Sequence, residues 1–147
     1  MQVRLTSRLE IVHASSPEMD QAETVTLLND LCVLAPAALV DEPIDWEPID
    51  DRRARARFSD AGHTVQAELP FNEDHELVDF VSDDRLAASS DGCGFTPQRW
   101  STPVNGYRSV AGRRVGTLGL GRWHPADAAS FDYLEFRLED ITYLERG

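Results

Sequence analysis

The sequence predicts an α+β fold in which a strongly curved antiparallel sheet, an open half-barrel, wraps around one main helix. Three observations carry this. A single long helical pattern runs from Ser16 to Ala35; the chain beyond it breaks into short alternating runs separated by turn residues; and one of those runs carries Gly116, Gly119 and Gly121, which let a sheet bend tightly. At 147 residues and 16.4 kDa the chain is the size of one domain, and residues 1–147 are read as one.

Taken in order, Val3 to His13 alternates on Val3 and Leu5, then on Leu9 and Ile11, a strand expected to pair with the C-terminal one. Ser16 suits an N-cap and Pro17 the first helical position, while Glu18 and Asp20 place negative charge where backbone N–H groups are free. Val25, Leu28, Cys32 and Ala35 recur at helical steps, Leu27, Leu31 and Leu34 widen the apolar face, and Thr26, Asn29 and Asp30 supply a polar side. Pro36 ends the pattern. Ile44 to Ile49 is a short segment whose Trp46 packs beside the helix or takes a partly wet binding position.

Asp50-Asp51 then turns the chain into Arg53 to Phe58, with Arg53, Arg55 and Arg57 on one parity and Ala54, Ala56 and Phe58 on the other. These arginines read as partners of nearby carboxylates, with phosphate binding as the alternative. His63, Val65, Ala67, Leu69 and Phe71 share the next face, and Leu77 to Ser82 completes a three-stranded meander. Leu86 to Gln98 lacks periodicity and reads as the longest loop. A strand through Tyr107, a turn at Ala111-Gly112, the Gly-rich strand Arg113 to Trp123 and a long last strand from Phe131 to Leu144 follow, the last with a bulge near Glu139-Asp140. About seven strands in antiparallel succession are expected.

Fourteen basic against twenty-six acidic residues give a net charge of −12, which repels a phosphate backbone, so nucleic acid is not an expected partner. Every basic residue apart from histidine is arginine, a bias that fits either a GC-rich coding sequence or adaptation to high salt. The first thirteen residues lack the apolar middle of a signal peptide and no run of eighteen apolar residues occurs, so a cytoplasmic chain without a transmembrane segment is expected. Cys32 and Cys93 read as a buried thiol and a loop thiol, with a disulfide between them as the alternative.

The stretch WEPIDDRRARARFSDAGHTVQAELPFNEDHELVDFVSDDR, then RWSTPVNGYRSVAGRRV and the later GRW and FDYLEF segments, resembles a bacterial protein family of unknown function. The resemblance covers nearly all of the chain and corresponds to the carboxyl-terminal half of longer members. EMDQAETVTLLNDLCVLAP is similar to the family's helix, and Trp100, Ser101, Thr102, Pro103, Tyr107, Gly112, Arg113 and Trp123 fall on recurring family positions. No catalytic assignment comes with it; the length difference implies a truncated chain, a short relative or a surface completed by dimerisation. More distantly, a helix against a bent sheet resembles the lipoprotein carriers and chaperones of the bacterial envelope, but without an export signal or lipobox neither cargo nor location transfers.

The concave side of such a sheet is the expected site. Trp46, Phe58, Phe80, Trp100, Tyr107, Trp123 and Phe136 are candidates to line it, with Arg99 or Arg113 near its mouth and a lipid-like or other hydrophobic molecule as guest. Taken singly, most of these aromatics read as core residues rather than ligand contacts. The enzymatic alternative is acid–base chemistry by His63, Asp79, Glu135 and Arg137. Ser101 and Cys93 have no nucleophile elbow, the four histidines no ligand spacing, and neither metal nor cofactor is expected. Exposed sheet edges favour a homodimer.

Overall fold

The structure is a computed structural model that describes residues 2–4, 17–89 and 91–144. It has the α+β architecture the sequence predicts: a strongly curved antiparallel sheet forming an open half-barrel against one main helix. Helix α1 spans Pro17–Leu34 and runs into a 3-10 turn at Pro36–Asp41. The Ser16 cap, and the predicted strand beyond residue 4, lie outside the described residues. Strand β1 (Gln2–Arg4) pairs with β12 (Thr142–Leu144), which is the terminal pairing expected.

The main sheet contains eight strands. Its meander is β2 (Ile44–Asp50), β3 (Arg53–Asp60) and β4 (His63–Pro70), followed by the two-residue β5 (Val81–Ser82). Next come β8 (Arg99–Ser101), β9 (Val104–Val110), β10 (Arg113–His124) and β11 (Phe131–Arg137), after β6 (Leu86–Ala88) and β7 (Phe95–Pro97), which form a separate hairpin. The strand order is β11-β10-β8-β5-β4-β3-β2, and β9 also pairs with β10 beyond β8. Every pairing is antiparallel.

Two hairpins turn on Ala61-Gly62 and Ala111-Gly112, where all four residues have positive φ. Such two-residue turns match the right-handed twist of the flanking strands, and glycine takes the second position without a Cβ penalty. At the β2–β3 turn, Asp50 Oδ1 accepts the Arg52 backbone N–H at 2.9 Å and its Oδ2 accepts Arg53 Nε at 2.7 Å.

Parity then sorts the sheet into two faces. Ala56, Phe58, Val65, Ala67 and Leu69 are buried on the inner face with Val25, Leu28, Cys32 and Val33 of α1, whereas Arg57, Thr64 and Gln66 face out. The helix lies over β3, β4, β6 and β10. Gly116, buried in β10, faces Val104 so closely that a Cβ would collide with its Cγ1. Val104 is stiff at χ1 and only 4% exposed, so Gly116→Ala should destabilise the fold by about 1–3 kcal/mol. Equilibrium urea unfolding measures this; a neutral variant would mean that Val104 can move.

Four readings need correction. Residues 86–98 contain the β6–β7 hairpin, closed where Ser89 N–H donates to Gly94 O at 2.8 Å; three-residue strands are too short to register as alternation. The last strand is broken rather than bulged at Glu139-Asp140: β11 pairs with β10 and β12 with β1, because Leu138 and Ile141 both turn into the core. A register shift lies instead between Gly121 and Arg122. Leu27 is 42% exposed, and the helix's supposed polar side is turned inward, with Asn29 buried; the reason is a sheet-side arginine, described next.

Candidate functional site

Arg85 follows the charged turn Asp83-Asp84 and enters the seam between α1 and the sheet. Its guanidinium lies 4.3 Å from the Trp100 ring centroid and 5.5 Å from that of Trp123, the stacking expected of a weakly hydrated planar cation on aromatic faces. Its Nη1 donates to Thr26 Oγ1 at 2.9 Å. That hydroxyl donates in turn to Ala22 O, so Thr26 uses its proton along the helix and its lone pair toward Arg85. A second tie between the helix and this turn is Gln21 Nε2, which donates to Asp84 O at 2.8 Å.

Asp30, one helical turn from Thr26, is pushed up to about 6 by burial, against which the Asn29 amide at 3.2 Å and the Arg85 charge act in the lowering direction. Burial also pulls the Arg85 guanidinium below its ordinary value, opposed by Tyr133 and Asp30. Both shifts have one origin: ionic groups have been drawn out of water without forming a direct pair.

The aromatic half of the site comes from β10 and β11. Trp123 sits opposite both Trp100 and Phe131 in register and tilts at 33° against Tyr133, centroid to centroid 6.1 Å. Tyr133 Oη accepts the Trp100 indole N–H at 3.1 Å. Glycines make room for this: a Cβ on Gly121 would press on the Tyr133 ring and on Leu134, and one on Gly119 would enter the Phe136 ring. Phe131, Tyr133 and Leu134 are nevertheless 41–49% exposed, because this end of the inner face runs past the helix. Aromatic surface left open in this way, beside a half-buried cation, is the marked feature of the molecule.

The profile of a family described as "Family of unknown function (DUF6544)" matches residues 1–136. The chain belongs to this family. No curated protein and no solved structure matches it, so the distant likeness to lipoprotein carriers gains no support.

The remaining predicted site residues of this DUF6544 chain fall in three places. Phe58, Phe80 and Trp100 are at most 3% exposed, with Phe80 edge-on to Trp100, and Tyr107 packs beside Gly116 with its hydroxyl donating to Leu77 O at 2.8 Å. Trp46, by contrast, lies opposite Ala56 on the edge strand β2 and is 45% exposed. Arg99 is on the outer face, held by both oxygens of Asp83 at 2.8 and 3.1 Å, and Arg113 stands at the opposite end of β10 from Trp123. Arg99 thus lies away from the inner face, while Arg113 shares the parity of Trp123 but sits at the far end of the strand. Arg85, Phe131, Tyr133 and Leu134 were not anticipated. The dense aromatic content of FDYLEF was the available signal, and the register shift at Gly121 obscured which of its residues share a face.

The acid–base set is dispersed. His63 pairs with Asp60 at the tip of the β3–β4 hairpin, and Glu135 and Arg137 lie on β11, four strand steps or roughly 19 Å away along the sheet. Asp79 is pushed up to about 6 by burial, tempered by its bond from the Phe80 N–H and by the Arg122 charge. Near it on the outer face, Ser101 Oγ and His124 Nε2 are 2.7 Å apart and Ser130 Oγ lies 2.9 Å from Nδ1. A nucleophile needs room for the reacting carbon, and Ser101 is 1% exposed, so this chain of bonds serves to hold β8 to β10 and its following loop. His124 is lowered from its ordinary value by burial, then by Arg122 and Arg99. On the outer face Arg55 is held by Glu47 and Glu68, and Arg122 by Asp132. Among the described residues no cluster of metal-ligating side chains occurs and no helix is long and apolar enough to cross a membrane.

Proposed function

We propose that this protein binds a hydrophobic small molecule, without covalent chemistry, on the uncovered end of the inner sheet face. The reading rests on one observation: Phe131, Tyr133 and Leu134 are each more than 40% exposed in a single run beside Trp123, with the Tyr133 ring seated over Gly121. Contiguous aromatic surface of this kind marks binding sites more often than it marks bare exterior. A cytoplasmic setting belongs to this reading, since Cys32 and Cys93 are unpaired thiols.

The test is titration with N-phenyl-1-naphthylamine, an uncharged apolar fluorophore, followed by its own emission and by tryptophan quenching. Saturable one-to-one binding is expected, weakened about tenfold or more in a Phe131→Ser, Tyr133→Ser double variant. No saturable binding, or equal binding by the variant, overturns the reading. Because the exposed run lies on the edge strand β11, a second copy of the chain is the alternative occupant. Light scattering decides that point: a mass of twice 16.4 kDa that reverts to 16.4 kDa in the double variant would assign the surface to a homodimer.

A further inference from the structure

We propose that Arg85 reads an anionic head group, so that the molecule held on this face is an amphiphile with one negative end and an apolar body. The inference rests on the apolar-binding reading above and adds the chemistry of the ligand's polar end. A guanidinium offers five N–H donors. Among the described residues Arg85 makes one hydrogen bond, to Thr26, and no carboxylate lies within ion-pairing distance. None of its nitrogens is sealed from solvent without a partner, although two other buried polar atoms, Asn29 Oδ1 and Thr102 Oγ1, are. The spare donors therefore reach the surface.

Six of the other thirteen arginines are treated differently. Arg52, Arg53, Arg55, Arg99, Arg114 and Arg122 each hold a carboxylate at 2.6–3.3 Å, in a chain with almost twice as many acids as bases. Arg85 is half-buried, fixed in place by two indoles and Thr26, and left with an open fork beside Trp123 and Tyr133. A planar fork of this kind suits a carboxylate, sulfonate or phosphate, and ordering it beforehand removes much of the entropic cost of binding. The neighbouring aromatics receive the apolar body.

The test compares three ligands of one chain length, dodecanoate, dodecanol and dodecyltrimethylammonium, titrated below their micelle concentrations at pH 8 and read by tryptophan fluorescence. Dodecanoate should bind about tenfold or more tighter than dodecanol, and the cation weakest. In Arg85→Met, which retains an apolar stem against the indoles, the preference for dodecanoate over dodecanol should be lost. Equal binding of carboxylate and alcohol by the unaltered protein overturns the inference and leaves the apolar site intact. Preference for the cation also overturns it. Binding of none of the three overturns both readings. The comparison within the unaltered protein holds even if the variant fails to fold.

Discussion

Phe80→Ala should lose about 3–5 kcal/mol of folding stability, seen as a lower urea midpoint with an unchanged slope. Phe80 is fully buried and meets Trp100 edge-on, with centroids 6.1 Å apart and planes at 72°. Its backbone carbonyl also accepts the Thr102 N–H at 2.9 Å, fixing the approach of the 77–80 segment to β8. Removing the ring therefore leaves a cavity between elements that cannot collapse together without breaking that pairing. Phe80→Leu should recover most of the loss. A near-native Phe80→Ala protein would show that Trp100 is positioned by Arg85 and Tyr133 alone.

Asp30→Asn should raise stability at pH 8 and leave it nearly unchanged at pH values well below the ordinary carboxyl value of 3.8. The folded carboxyl titrates near 6 and its ordinary value is 3.8, so the folded state holds the proton more tightly. The associated stability is fully present below about 3.8 and is lost as pH rises through 6. With 1.36 kcal/mol per unit, the burden on the unaltered protein at pH 8 is about 3 kcal/mol before relaxation, and a gain of about 1–3 kcal/mol is expected for the asparagine variant. Asn at this position keeps an acceptor for the Asn29 amide. Asp79, raised for the same reason, keeps part of the pH dependence. A variant less stable at pH 8 would mean that attraction between Asp30 and Arg85 outweighs the cost of burying the charge.

Much of the fold was legible because it is written in parity. The alternation of Arg53, Arg55 and Arg57 with Ala54, Ala56 and Phe58 placed β3 correctly on both faces, and the same holds for Val65, Ala67 and Leu69. The helix was legible in extent but not in rotation. Periodicity counts apolar residues, and it gave Leu27 to the core and Thr26 and Asp30 to water; Arg85, distant in sequence, reverses that assignment by offering a donor and a positive charge from the sheet. The site was harder to read for a similar reason. Trp123 and Phe136 were found by their aromaticity, but their exposed neighbours owe their setting to the register shift between Gly121 and Arg122, which depends on two strands meeting and leaves no mark on either alone.

The narrow strand β5 sets how the half-barrel carries its curvature. Beside it, backbone ladder bonding gives way to side chains: Ser82 Oγ donates to Gln66 O at 2.6 Å, and Asp84 Oδ2 accepts the Gln66 N–H at 2.7 Å. Two side chains thus stand where a full neighbouring strand would run, and only Glu68 and Val81 are paired across the joint. A sheet stitched in this way has low flexural stiffness along one line, with the meander β2–β4 on one side and β8–β11 on the other. The joint lies immediately before Arg85, so any change in the angle between the two halves moves that guanidinium relative to the helix that holds it.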